Sequence, residues 1–200
     1  MKSSHSLGVA QLSSETRRVT AAPLKIFAID PGSRKVGFGL LTVPRHKLLS
    51  ARAYRVHEAG LIEARAEVEI WERIGLIHQA AFELISEFKP DICVLESAFM
   101  GQFAASALKL GQARGALIVA ATRAKVKVGE ISPAKVKELV AGHGRASKSE
   151  VSLAVKEWTG FDGGTHPYDV TDAIAIGLAF GVLHASHGVA APSLQNHERR

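Results

Sequence analysis

The chain has 200 residues, room for one domain with a tail at each end, and its 46% apolar content supports a sizeable core. A single cysteine excludes an intrachain disulfide framework, and no Cys/His spacing suits a zinc site. The net charge of +6 points to a polyanionic partner, nucleic acid before membrane, but a merely basic protein has the same balance.

Residues 1–23 (MKSSHSLGVAQLSSETRRVTAAP) lack the apolar stretch of a secretory signal. They read as a disordered tail rather than as the organellar transit peptide that their Ser/Arg content faintly resembles. Residues 25–30 (KIFAID) form a strand entering a Pro-Gly-Ser turn, and residues 35–42 and 49–60 form two more, parted by PRHK at 44–47. These three are expected as an antiparallel meander. A helix over 66–88 follows, with Ile70, Ile74, Ile77, Ala81, Leu84 and Phe88 at helical spacing, stopped by Lys89-Pro90-Asp91.

Residues 92–96 (ICVLE) form a short apolar strand ending in an acid, with Cys93 a small buried residue suited to a reducing compartment. A small-residue helix over 103–124 and a strand over 126–131 come next. Ser132 as N-cap and Pro133 in the first turn open a helix that Gly142 and Gly144 end. Ser147 and Glu150 have capping-box spacing and start another, to about Trp158. The last helix covers roughly 167–186, and its apolar run from Ala173 (AIAIGLAFGVL) reads as core, too short to span a bilayer. The expected organisation is an N-terminal tail (1–23), a single α/β domain (24–188) with a mixed sheet flanked by helices, and a C-terminal tail (189–200).

Two apolar strands end in carboxylates, Asp30 and Glu96, although burying an unpaired charge is expensive. Asp169 and Asp172 share one face at the start of the last helix. Taken alone that pair does no more than favour a helix N-terminus. If the two strands are neighbours, all four acids meet, and carboxylates crowded in a dry site stay ionised only beside cations. Hard divalent ions with oxygen ligands meet that need, Mg²⁺ first among them. Two such ions, roughly 4 Å apart, can clamp the attacking and leaving oxygens of phosphoryl transfer.

The blocks AIDPGSRKVGFGLL, LESAFMGQFAASALKLGQARGALIVAA, VKELVAGHGRASKSEV and YDVTDAIAIG carry a resemblance covering about Ile26 to His184. In these blocks the chain resembles RuvC-type Holliday-junction resolvases of the ribonuclease H-like superfamily. The resemblance implies a mixed five-stranded sheet flanked by helices. It implies a homodimer that resolves a four-way DNA junction in recombination and repair by paired nicks in opposing strands, leaving 5′-phosphate and 3′-hydroxyl ends. Asp30, Glu96, Asp169 and Asp172 match the family's four metal-binding, catalytic carboxylates in identity and order. Asp30 would bridge two Mg²⁺ ions, with Mn²⁺ as a substitute, and the other three would complete their shells. A bacterial cytoplasmic setting and a branch-migration complex as further partner are likewise implied by family alone; no membrane is.

The same resemblance gives Phe99 a base-stacking role, against the plainer reading of a loop anchor. Phe103, a second aromatic in Gly101-Gln102-Phe103, departs from the family's polar segment and leaves local sequence preference open. Lys137 and Lys148 match lysines that approach DNA, and Arg145 lies in the same GHGRASKS segment; singly each reads as a solvated charge, together they favour phosphate binding. Gly111 and Gly115, with Ala107 one turn earlier, line a stripe that either packs on the sheet or, by resemblance, forms the dimer interface. His166 reads as a surface residue, since both helix carboxylates are present.

Two other classes compete. AIDPGSRKVGFG and the DGG of FDGGTHPYD superficially resemble the phosphate loops of actin-like or sugar-kinase-like ATPases, but those place nucleotide between two domains and leave Glu96, Phe99 and the basic loop without a role. A junction-binding module without catalysis would not need four intact acids.

Overall fold

The computed structural model describes residues 22–45, 54–64, 67–97 and 104–186. Five strands form one sheet: β1 (Leu24–Asp30), β2 (Lys35–Val43), β3 (Arg55–Glu63), β4 (Ile92–Glu96) and β5 (Lys127–Ile131), in the order β3-β2-β1-β4-β5. β1, β2 and β3 are the expected antiparallel meander, whereas β1–β4 and β4–β5 pair in parallel. The carboxyl ends of β1, β4 and β5 therefore share one edge, where open α/β sheets place ligands.

Side-chain alternation sorts the core into two layers. Phe27, Ile29, Cys93 and Leu95 point to one face, covered by α1 (Ile70–Phe88) and α2 (Ala104–Arg123). Ile26, Ala28, Ile92 and Val94 point to the other, covered by α3 (Pro133–Ala141), α4 (Lys148–Thr159) and α5 (Tyr168–Ser186). Burial pushes the Cys93 thiol up to about 12, so it is an inert core residue. α5 is long and apolar enough to cross a membrane by length and composition, but most of it is buried inside the protein. Its apolar run is core, as its sequence implies.

The helix signals act as their chemistry predicts. Ser132 accepts a hydrogen bond from the Lys135 N–H, and Gly142 closes α3 in the left-handed region at φ 86°. Ser147 and Glu150 form both hydrogen bonds of a capping box at the start of α4. Lys89 ends α1 at φ 53°, its N–H returning to the Ile85 carbonyl, directly before Pro90.

Two expectations shift. The third strand runs over Arg55–Glu63 rather than 49–60, and residues 46–53 lie outside the described part. Its alternation is weak because an edge strand is half-exposed on most positions. On α1 the fully buried stripe is Arg73, Ile77, Ala81 and Ile85, spaced i to i+4, while Ile74 and Leu84 are only half-buried. An arginine in that stripe broke the apolar pattern by which it would have been found. The tail readings fall almost wholly outside the described residues.

Candidate active site

Asp30 is the last residue of β1 and Glu96 the last of β4, and the parallel register pairing Ile29 with Leu95 makes them neighbours at one sheet edge. Asp169 and Asp172 lie in the first turns of α5, near its N-terminus. Carboxylate oxygens of Asp30, Asp169 and Asp172 all lie within 4.8 Å of one another. Glu96 stands outside that tight group, but its charge raises the Asp30 pKa and the Asp172 charge raises its own.

A close approach of backbone to backbone builds this cluster. Gly37 is the β2 partner of Asp30, and a Cβ there would lie 1.9 Å from the Asp169 carbonyl oxygen. Only a residue without a side chain lets the first turn of α5 rest on β2 at that point. The seam continues outward: a Cβ on Gly177 would press on Leu41 and Ala28, and one on Gly181 on Val43. The glycines of GFGLL and AIAIG thus seat α5 on the sheet and bring Asp169 and Asp172 to Asp30.

The electrostatics are those of a site short of positive charge. Burial, then Glu96, Asp172 and Asp169 in turn, push the Asp30 carboxyl from 3.8 up to about 7. Burial chiefly raises Glu96 as well, opposed by Lys148, Lys137 and Arg114. The Lys148 ammonium lies 2.8 Å from Asp172 Oδ2, and that hydrogen bond raises the lysine pKa. Among the described residues it is the cation in direct contact with the cluster. Such a set of hard oxygen donors fits Mg²⁺ or a similar hard cation.

Lys137, half-buried on α3, acts on Glu96 through charge, and Arg145 is exposed in the turn before α4. Phe99 and Phe103 lie outside the described residues. His166 is exposed and stacks on Phe161, with ring centroids 5.2 Å apart, and takes no part in the acidic group. Added Cβ atoms at Gly111 and Gly115 would meet nothing within 4 Å, so these glycines do not serve sheet packing. α2 instead faces the sheet with Ala113, Arg114, Leu117, Ala120 and Ala121.

Sequence reasoning missed Arg114. It is buried on α2, donates through Nη1 to the Glu96 carbonyl oxygen, and pairs through Nη2 with Glu130 Oε1 at 2.6 Å. The one available signal was a charged residue inside an otherwise small, apolar helix face.

Carboxylates from two adjacent strand ends and a following helix, on a mixed sheet flanked by helices, define a ribonuclease H-like nuclease fold. The model of the family "Crossover junction endodeoxyribonuclease RuvC" matches residues 26–180, and the chain belongs to this family. The RuvC of Colwellia psychrerythraea is 38% identical over 167 residues, covering 83% of this chain and 91% of that one. That of Halothermothrix orenii is 35% identical over 156 residues, covering 78% and 91%. Among solved structures, T. thermophilus RuvC in complex with a Holliday junction substrate superposes with a TM-score of 0.74 at 30% identity, covering 82% of this chain and 97% of that one.

Proposed function

We propose that this chain is a metal-dependent endonuclease that resolves four-way DNA junctions by paired nicks in opposing strands. The observation that carries the reading is the meeting of Asp30, Asp169 and Asp172 at one sheet edge, with Glu96 beside them. Membership of the RuvC family supplies the substrate class.

Asp30, Glu96, Asp169 and Asp172 would hold two Mg²⁺ ions, which would activate water and stabilise the leaving oxygen. The chain's own groups do the rest. The α5 N-terminus and the Gly37 contact hold two acids in place. Lys148, 57% exposed, is free to exchange Asp172 for a phosphate oxygen. Lys137 and Arg145 would add positive charge for the phosphates, and Phe99 would stack on a base near the crossover. Nicks would carry 5′-phosphate and 3′-hydroxyl ends.

Exposed Leu108 and the open stripe at Gly111 and Gly115 support a homodimer through α2. A two-fold dimer would set two acid clusters against a two-fold junction. Bacterial cytoplasm and a branch-migration complex belong to the same reading.

The test is cleavage of a mobile synthetic four-way junction in Mg²⁺, beside a linear duplex of the same sequence. Paired nicks in the junction alone are expected. Junction binding without nicks, in Mg²⁺ and in Mn²⁺, would leave a recognition module instead.

A further inference from the structure

A buried arginine beside an acidic strand end needs a reason, because a guanidinium costs more to desolvate than an apolar side chain of equal volume. Arg114 is 9% exposed, on the sheet-facing side of α2. Its two arms do different things. Nη1 donates to the main-chain carbonyl of Glu96, at the point where β4 ends. Nη2 is held by Glu130 Oε1 at 2.6 Å, one residue from the end of β5. The planar fork thereby links α2, β4 and β5 at one place. A second bond closes the arrangement, since the Ser97 N–H donates to the Ile131 carbonyl at 2.8 Å. Glu96 is thus clamped on its own carbonyl and at the next amide, while its carboxylate lies close enough to Asp172 and Asp30 for their charges to interact.

We propose that Arg114 is a positioning residue for Glu96, and that Glu130 orients it for that task. By fixing the last peptide of β4, the pair sets the position from which the Glu96 carboxylate reaches a metal ion. This rests on the reading of Glu96 as a metal ligand. It also joins the site to α2, the helix that carries exposed Leu108 and the open Gly111 position. Mg²⁺ demands near-ideal octahedral geometry, so a small displacement of one carboxylate weakens it.

The experiment compares Arg114→Met, Arg114→Lys, Glu130→Gln and Glu96→Gln with the unaltered chain. Four quantities are read: thermal stability, junction affinity without metal, Mn²⁺ binding from the paramagnetic resonance of the free ion, and the Mg²⁺ concentration that half-saturates nicking. Arg114→Met is expected to weaken Mn²⁺ binding and raise the Mg²⁺ requirement about tenfold, the scale for partners that orient a ligand. Junction affinity without metal stays unchanged. Arg114→Lys, with one donor centre in place of a fork, falls between, and Glu130→Gln shifts both metal readouts less but in the same direction. Glu130 is half-exposed, so Glu130→Gln carries the test if Arg114→Met fails to fold. Loss of thermal stability with both metal readouts unchanged would overturn the proposal and leave Arg114 a strap between α2 and the sheet. If Glu96→Gln itself leaves the metal readouts unchanged, the ligand reading of Glu96 fails and the proposal falls with it. If Glu96→Gln moves them while Arg114→Met and Glu130→Gln do not, the proposal alone is overturned.

Discussion

At the edge of the sheet where β1 begins, Asp91 accepts the Lys25 main-chain N–H at 2.9 Å and lies 3.3 Å from Arg45. At the edge where β1 ends, Asp30 faces Asp169 and Asp172 within 4.8 Å, and no protein cation pairs with it among the described residues. Both are aspartates at strand ends. The first is satisfied by its own chain and knits the N-terminal strand to the turn before β4. The second is surrounded by its own kind, and burial and repulsion push it up to about 7. Carboxylates crowded in this way shed charge by holding a proton or by meeting a cation, and such clusters recur at functional sites.

Asp30→Asn breaks the comparison most strongly. Nicking of a four-way junction should fall by at least about a hundredfold, the scale of losing one stabilising group at a reacting phosphate. Junction affinity without metal should hold or rise, because a negative charge beside the phosphates has gone. Unchanged nicking would sink the metal reading.

Gly37→Ala attacks the placement of the cluster rather than its charge. A Cβ at 1.9 Å from a main-chain oxygen forces α5 off β2 and should cost about 1–3 kcal/mol as overpacking, with nicking lost beyond what instability explains. Gly111→Ala is the control, since its Cβ meets nothing within 4 Å. It should leave the fold intact and show its effect, if α2 is the interface, as a change in oligomeric state on sedimentation.

The pH dependence sharpens the contrast further. A carboxyl raised from 3.8 to about 7 binds its proton more tightly folded than unfolded. Without metal, its contribution therefore falls as pH rises through that window and is flat above it. Glu96, also raised, acts in the same direction. Glu150 and Asp162 are lowered by their hydrogen bonds to Ser147 and to Gly164 and Lys156, so they lose stability as pH falls through the low carboxylate range. The difference between wild type and Asp30→Asn cancels those terms. Calorimetry without metal should find Asp30→Asn relatively more stable at pH 8 than at pH 4, and Mg²⁺ should raise Tm for wild type chiefly at the higher pH. A constant difference across the range would contradict the assignment.

The smallest effect belongs to the satisfied end. Asp91→Ala should cost about 1 kcal/mol, the worth of a partly exposed hydrogen-bonded carboxylate. Its Mg²⁺ requirement for nicking should match the unaltered chain.

Much of this was legible in the residues. Asp30 and Glu96 announced themselves because each ends a run of apolar residues, and the caps at Ser132, Ser147 and Lys89 are local chemistry that needs no tertiary context. The third strand was placed early because an edge strand with RVHEAGLIE lacks clean alternation, and Arg73 because a cation hid one position of the buried stripe. Arg114 escaped for a related reason: the partners that give it meaning, the Glu96 carbonyl and Glu130, are 18 and 16 residues away in the chain.

The order of strands and helices along the chain and the acids at their ends were determined by the sequence alone, because capping, alternation and turn chemistry act over a few residues. Only the tertiary structure decided that Gly37 admits the Asp169 backbone, that Lys148 rests on Asp172, and that Arg114 clamps the end of β4. Those are contacts between distant segments, and packing selects them once the sheet and its two helical layers have closed.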